Sequence, residues 1–178
     1  MKLVDQAAIA YYKQNYSAAK RIDGVTITEL RRFNDDGGSL TELCRLEHGA
    51  NTALPGFTVR QINFSELVPG AIKAFHLHLH QTDVWYVPPC HRLLLVMADV
   101  RGESATAGVI QRMVIGDSRS LLVRIPPGVA HGCRNIGQQT AFIIYFTDCY
   151  FDPSADQCDE GRLPWDYLGP SIWDISRE

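Results

Sequence analysis

From Gly24 to Phe146 the chain is a train of short runs rich in β-branched and apolar residues, each closed by a turn signal within about ten residues. Val25–Thr28, Ser39–Leu46 and Phe57–Phe64 come first, and Asn34-Asp-Asp-Gly-Gly38 is a strong turn between the first two. Further runs follow at Ile72–Leu79, Asp83–Val87, Arg92–Val100, Gly108–Ile115, Ser120–Ile125, Ala130–Asn135 and Thr140–Phe146. Val87-Pro-Pro, Arg101-Gly, Gly116-Asp, Pro126-Pro-Gly and Ile136-Gly separate them. With little helix between the runs, the pattern predicts an all-β sandwich or barrel dominated by antiparallel pairs.

Two ends frame this core. Leu3, Val4, Ala7, Ala8, Tyr11, Tyr12 and Ala18 recur at roughly helical spacing, which predicts a helix over 3–20 packed on a later part of the chain. After Tyr150 the sequence turns irregular and aromatic, through Leu163-Pro-Trp165-Asp-Tyr167 to Trp173, so this segment is expected to cover the barrel or a partner subunit. The domain reading is a helical extension over 1–22 and one domain over 23–178, consistent with 178 residues. A net charge of -3 gives no electrostatic reason for a nucleic-acid or membrane partner. The N-terminus, interrupted by Asp5 and Gln6, reads as neither signal peptide nor span, which points to the cytoplasm. Five scattered cysteines without a Cys-x-x-Cys read as buried thiols.

The chemistry concentrates in Lys73-Ala-Phe-His76-Leu-His78-Leu-His80-Gln-Thr-Asp83. In an extended strand His76, His78 and His80 share one face, with Phe75, Leu77 and Leu79 opposite. Three imidazoles on one face can collect a metal, transfer protons or line a polar cavity. A second pattern, Pro126-x-Gly128-x-x-His131-x-x-x-Asn135, places a histidine just after a tight turn. Together with Gly70-x5-His76-x-His78-x4-Asp83 it resembles the two motifs of the cupin superfamily, which implies a jelly-roll barrel with a functional cavity.

A closer resemblance runs from about Gly24 to Trp173. Phe33-Asn-Asp-Asp-Gly-Gly38, Gln61-Ile-Asn63-Phe-Ser65, Lys73-Ala-Phe-His76 and Ala98-Asp99-Val-Arg101 are its first blocks. Ile125-Pro-Pro-Gly-Val-Ala-His131-Gly, Ile144-Tyr145-Phe-Thr-Asp-Cys-Tyr150, Glu160-Gly-Arg-Leu-Pro-Trp165-Asp166 and Ile172-Trp173 are the rest. In this order they look like the blocks of the dTDP-4-dehydrorhamnose 3,5-epimerase family. The resemblance implies proton abstraction and return beside the ketone of a nucleotide-linked (dTDP-type) 4-keto-6-deoxysugar, without a cofactor, in a homodimer that exchanges first strands. His76 is then the base and Tyr145 the acid, with His131 and Lys73 stabilising the enolate oxygen. Gln61, Asn63, Ser65 and His78 become candidate substrate contacts, and Glu42 a candidate ribose contact.

The chain departs from the family pattern in several places. Lys73 stands where arginine is usual, the turn at Asp35–Gly38 lacks an arginine, and a second basic position falls on Asp83 or Val84. A tail aspartate that supports the base in the family has only Asp174 as a counterpart. His78 replaces a usual glutamine, so His76, His78, Asp83 and His131 also form a possible site for one divalent transition metal. The alternatives to the epimerase are therefore a metal-dependent cupin enzyme and a non-catalytic sugar-nucleotide-binding cupin.

Overall fold

The computed structural model describes residues 1–13, 20–48, 50–154 and 158–176. Helix α1 (Asp5–Ala10) precedes β1 (Thr26–Glu29), the hairpin β2 (Arg32–Asp35) and β3 (Gly38–Thr41), and the short ladder β4 (Leu46–Glu47) and β5 (Ala50–Asn51). The body follows as β6 (Gln61–Leu67), β7 (Ile72–Leu77), β8 (Asp83–Tyr86), β9 (Arg92–Asp99) and β10 (Ile110–Gly116). It is completed by β11 (Leu121–Ile125), β12 (Val129–Asn135), β13 (Ala141–Thr147) and β14 (Gly161–Arg162), then a 3-10 turn at Pro170–Trp173.

Two five-stranded sheets form, in the orders β1-β11-β8-β13-β6 and β10-β9-β12-β7-β14, and every pairing is antiparallel. This is the predicted jelly-roll sandwich. Alternation along β9 decides where its side chains go: Leu93, Leu95 and Met97 enter the inter-sheet core with Trp85, Val123, Cys133 and Ile143. Leu94 and Val96 take the opposite face, which is buried too, under Phe75, Trp173 and the flanking Leu163, Leu168 and Ile172. The aromatic C-terminal segment therefore covers the sandwich as expected, through Trp173 rather than Trp165, which stays 49% exposed. Leu54 and Phe57 cover the outer face of the other sheet against Val84, Tyr86, Leu122 and Phe146.

The N-terminal expectation is corrected. The helix is six residues long, residues 11–13 are not helical, and positions 14–19 lie outside the described residues. All six helical residues are exposed, so the spacing of Ala7 and Ala8 reflects a solvent-facing turn rather than a docked face. Ile22, assigned to the extension, is buried in the inter-sheet core. Among the cysteines only Cys133 is buried; Cys90 and Cys158 are exposed, and all five are free. No helix is long and apolar enough to cross a membrane among the described residues.

Candidate active site

The middle of the sandwich carries the chemistry. His76 on β7 pairs in register with His131 on β12, and Tyr145 on β13 pairs with Trp85 on β8. The imidazole and the phenol thus rise from opposite sheets. Strict alternation puts Lys73 and His76 on opposite faces of β7, yet both line the same cavity. A bulge explains it: the step from His131 to Cys133 on β12 is matched by the longer step from His76 back to Lys73 on β7. Gly132 makes room for it, since a Cβ there would lie 2.4 Å from Ala74 Cβ and 2.8 Å from the Lys73 carbonyl oxygen.

Past β7 the chain is gripped by Asp159, whose carboxylate accepts the backbone N–H groups of Leu79, His80 and Gln81. Burial pushes this carboxyl up, but the three donors outweigh it and hold it below its usual range. The grip turns His80 out to solvent and drives His78 inward, to 3% exposure. The turn at Pro126–Gly128 is locked to the same place. Gly128, at φ +74°, donates its N–H to the His78 carbonyl at 2.8 Å, and a Cβ on it would strike Arg101 Cγ. Arg101 itself pairs with Asp99, at 2.8 Å.

Beneath the cavity lies a buried charge cluster. His78 donates Nδ1–H to the Asp159 carbonyl, and His131 donates Nδ1–H to the Val129 carbonyl at 3.0 Å. Their Nε2 atoms both face Asp83, at 3.8 and 3.4 Å. The His131 contact lacks hydrogen-bond alignment, and its Nε2 has no hydrogen-bond partner among the described residues. The Gln81 amide, at 2.8 Å, and the Trp85 indole N–H, at 3.1 Å, complete the shell of Asp83. Burial pushes Asp83 up, but His131, His78 and the Trp85 N–H outweigh it and hold the carboxyl at about 2.

His76 stacks on His131, with ring centroids 5.7 Å apart. Its Nε2 accepts a hydrogen bond from Arg162 Nη1 at 2.7 Å, and its Nδ1 lies 3.7 Å from Glu160 Oε2. Burial, followed by His131, Arg162 and His78, lowers His76 to about 3 against the opposing pull of Asp83. The imidazole is neutral at pH 7, with its Nε2 lone pair taken up by the Arg162 guanidinium. Tyr145 moves the other way: burial first, then Asp83 and Glu160, raise it against Arg162, which keeps the phenol protonated. A neutral imidazole and a protonated phenol face one space from two walls.

That space is a pair of adjoining cavities of about 460 and 500 Å³, which share His76, Tyr145, Glu160 and Arg162. The first adds Ser65, Lys73, His78, Asp83, Trp85 and Ile143, and the second Gln61, Asn63, Gln81, Thr147 and Phe151. Of the residues proposed from sequence, His76, Tyr145, Lys73, His78, Gln61 and Asn63 therefore meet. Lys73 Nζ donates to Ser65 Oγ at 2.9 Å, and Gln61 Nε2 to Asn63 Oδ1 at 2.8 Å. His131, 1% exposed, lies under His76 and lines neither cavity, so burial removes it from direct contact with an enolate oxygen. Glu42 is an exposed partner of Arg45, at 2.7 Å, and Asp174 is also exposed; neither lines a cavity. The carboxylate beside His76 is Glu160 instead. Sequence reasoning gave no role to Glu160 or Arg162, although both stand in one of the quoted blocks.

The four residues considered for a metal divide. Ligand atoms of His78, Asp83 and His131 lie within 4.8 Å of one another, while His76 groups with His78 and Glu160.

The sequence profile described as dTDP-4-dehydrorhamnose 3,5-epimerase matches residues 19–165. The spore coat polysaccharide biosynthesis protein SpsL of Bacillus subtilis (strain 168) is 40% identical over 150 residues, covering 82% of this chain and 91% of that protein. The dTDP sugar isomerase from Desulfovibrio desulfuricans G20 superposes with a TM-score of 0.71 at 28% identity, covering 83% of this chain and 88% of that one. The dTDP-6-deoxy-D-glucose-3,5-epimerase of Legionella pneumophila Philadelphia 1, solved with dTDP-4-keto-L-rhamnose, shares the fold. Its TM-score is 0.72 at 22% identity, covering 90% of this chain and 84% of that one. By the extent of the profile match and the identity to SpsL, this chain belongs to the dTDP-4-dehydrorhamnose 3,5-epimerase family.

Proposed function

We propose that the chain epimerises a dTDP-type nucleotide-linked 4-keto-6-deoxysugar. The observation that carries this reading is the placement of His76 and Tyr145 on opposing sheets of one cavity, each in the protonation state its task needs. His76 Nε2 takes the proton from the carbon beside the ketone, and the C–H electron pair becomes the enolate double bond as the carbonyl pair moves to oxygen. Tyr145 returns a proton from the other face, which inverts the centre. Two adjoining cavities suit a two-part ligand, with the sugar at the four shared residues and the nucleotide beyond them. Lys73, Gln61 and Asn63 supply polar contacts along it.

Tyr145→Phe separates the two proton steps. Loss of the phenolic proton should cut net inversion about 10²-fold while deuterium still exchanges through His76 with return on the original face. Proton NMR of the sugar in D₂O reads both rates; unchanged inversion contradicts the assignment.

The chemistry needs no cofactor. Arg162 Nη1 already occupies the His76 lone pair, and a guanidinium at 2.7 Å repels a metal cation from that nitrogen. Elemental analysis of purified protein is expected to find well under one transition metal per chain. Near-stoichiometric metal, stripped by His78→Ala and by His131→Ala, would overturn the cofactor-free reaction.

The working unit is a homodimer in the cytoplasm. Edge strand β6 points Ile62 and Phe64 outward, 57% and 62% exposed, with Phe64 against Phe142 at 5.2 Å. An apolar outer face on an open edge is covered most simply by a second copy. Sedimentation of protein from the soluble fraction should give twice the chain mass; a monomer at micromolar concentration contradicts it.

A further inference from the structure

The epimerase reading needs a partner for the oxygen that becomes an enolate when His76 takes its proton; of the two candidates from sequence, His131 is buried and Lys73 already donates to Ser65. We propose that Arg162 binds this oxygen, and that in the free protein the same guanidinium caps the base, so that the ketone uncovers His76 as it enters. The inference rests on the epimerase reading and adds to it a catalytic residue with a gating role.

The backbone of Arg162 is fixed while its side chain is free. β14 pairs with β7 so that Arg162 lies directly across from His76. Gly161 permits this approach, since a Cβ there would lie 2.5 Å from the Leu77 carbonyl oxygen. Leu163 and Phe75 then exchange both backbone hydrogen bonds, at 3.0 and 3.1 Å. Beyond this anchor the side chain is 54% exposed, and among the described residues its one carboxylate neighbour, Glu160, is 3.8 Å away.

A guanidinium has donors and no acceptor, so the 2.7 Å contact to His76 Nε2 consumes the lone pair that must receive the carbon-bound proton. For transfer, the reacting carbon must stand about 3–3.5 Å from that nitrogen. The ketone oxygen is two bonds further on, about 2.4 Å from the carbon. An oxygen so placed falls within reach of the displaced Arg162 fork. As the C–H pair moves into the new double bond and the carbonyl pair onto oxygen, the proton passes to Nε2 and an Arg162 N–H meets the new charge. Return of a proton from Tyr145 reverses the charge movement, and no oxidant or further reactant is needed.

The other polar groups around His76 are less well placed. Lys73 Nζ is engaged by Ser65 on β6, His78 and His131 are buried with their Nδ1 atoms tied to carbonyls, and Asp83 carries the opposite charge. Arg162 is the one arginine that lines both cavities among the described residues.

Wild type, Arg162→Met and Arg162→Lys should be compared in two assays. With a dTDP-linked 4-keto-6-deoxyhexose in D₂O, Arg162→Met is expected to lose about 10²–10³-fold in kcat, with KM changed far less. Arg162→Lys should recover much of that loss, and millimolar guanidinium chloride should partly restore the Met variant alone. Without substrate, diethyl pyrocarbonate, which acylates neutral imidazole, should modify His76 several-fold faster in Arg162→Met than in wild type, as read by mass spectrometry. A Met variant that turns over like wild type, or equal rates of His76 modification, would overturn the proposal. Should wild type exchange no 4-keto sugar nucleotide, the epimerase reading fails. The modification rates then still decide whether Arg162 caps the base.

Discussion

His76→Ala is expected to abolish solvent deuterium entry beside the sugar ketone, a loss of about 10²–10⁴-fold relative to wild type. The size of the effect follows from position. His76 is the only histidine that is both half-buried at the cavity wall and aimed with its Nε2 at the shared space, among the described residues. His78 and His131 have their Nδ1 atoms on carbonyls and their Nε2 atoms on Asp83, so neither can substitute. The low pKa of His76 adds a second signature. Because protonation sets in only near about 3, the base stays neutral across the ordinary range, and the wild-type rate should show no histidine limb between pH 5 and 8. Measurable exchange by His76→Ala within tenfold of wild type would place the base elsewhere.

Asp83→Ala is expected to cost about 3–5 kcal/mol of stability, as removal of one partner from a buried charge cluster does. Asp83 is 3% exposed and gathers the Gln81 amide, the Trp85 indole and the Nε2 atoms of His78 and His131. Truncation leaves two imidazoles and two N–H donors facing the vacated volume without their acceptor. For a domain of this length that corresponds to a fall of about 10 °C in Tm. Denaturant unfolding measures it directly; a loss below about 1 kcal/mol would mean that the cluster is solvated and weak. Asp83→Asn, which keeps the volume, should lie between the two.

The strands were legible because turn residues punctuate them and β-branched runs fill them. The predicted runs at Arg92–Val100 and Asp83–Val87 differ from β9 and β8 by one terminal residue each. The N-terminal helix is present but shorter than its spacing suggested and undocked: helical spacing says which face is apolar, not whether anything packs on it, and no residue of α1 is buried. At the site, His76 and Tyr145 were named through their blocks, and both line the two cavities. Parity alone misplaced two neighbours. It set Lys73 opposite His76, which the bulge across from Gly132 reverses, and it kept His80 with His78, which Asp159 separates by capturing the backbone at Leu79–Gln81. Strand β14 had no periodicity to detect in two residues. Its partner is fixed by the closeness of Gly161 to Leu77, a contact between residues remote in sequence. For that reason the placement of Glu160 and Arg162 beside His76 could not be read from their block, and the carboxylate near the base was sought at Asp174.

The proposed reaction moves a proton beside a ketone in this cavity without a metal. The direct test is NMR of a dTDP-linked 4-keto-6-deoxysugar in D₂O with metal-free wild-type protein. The account predicts deuterium at a carbon adjacent to the ketone, appearing together with the inverted sugar. Absence of incorporation with every 4-keto sugar nucleotide offered, from folded protein, would contradict it.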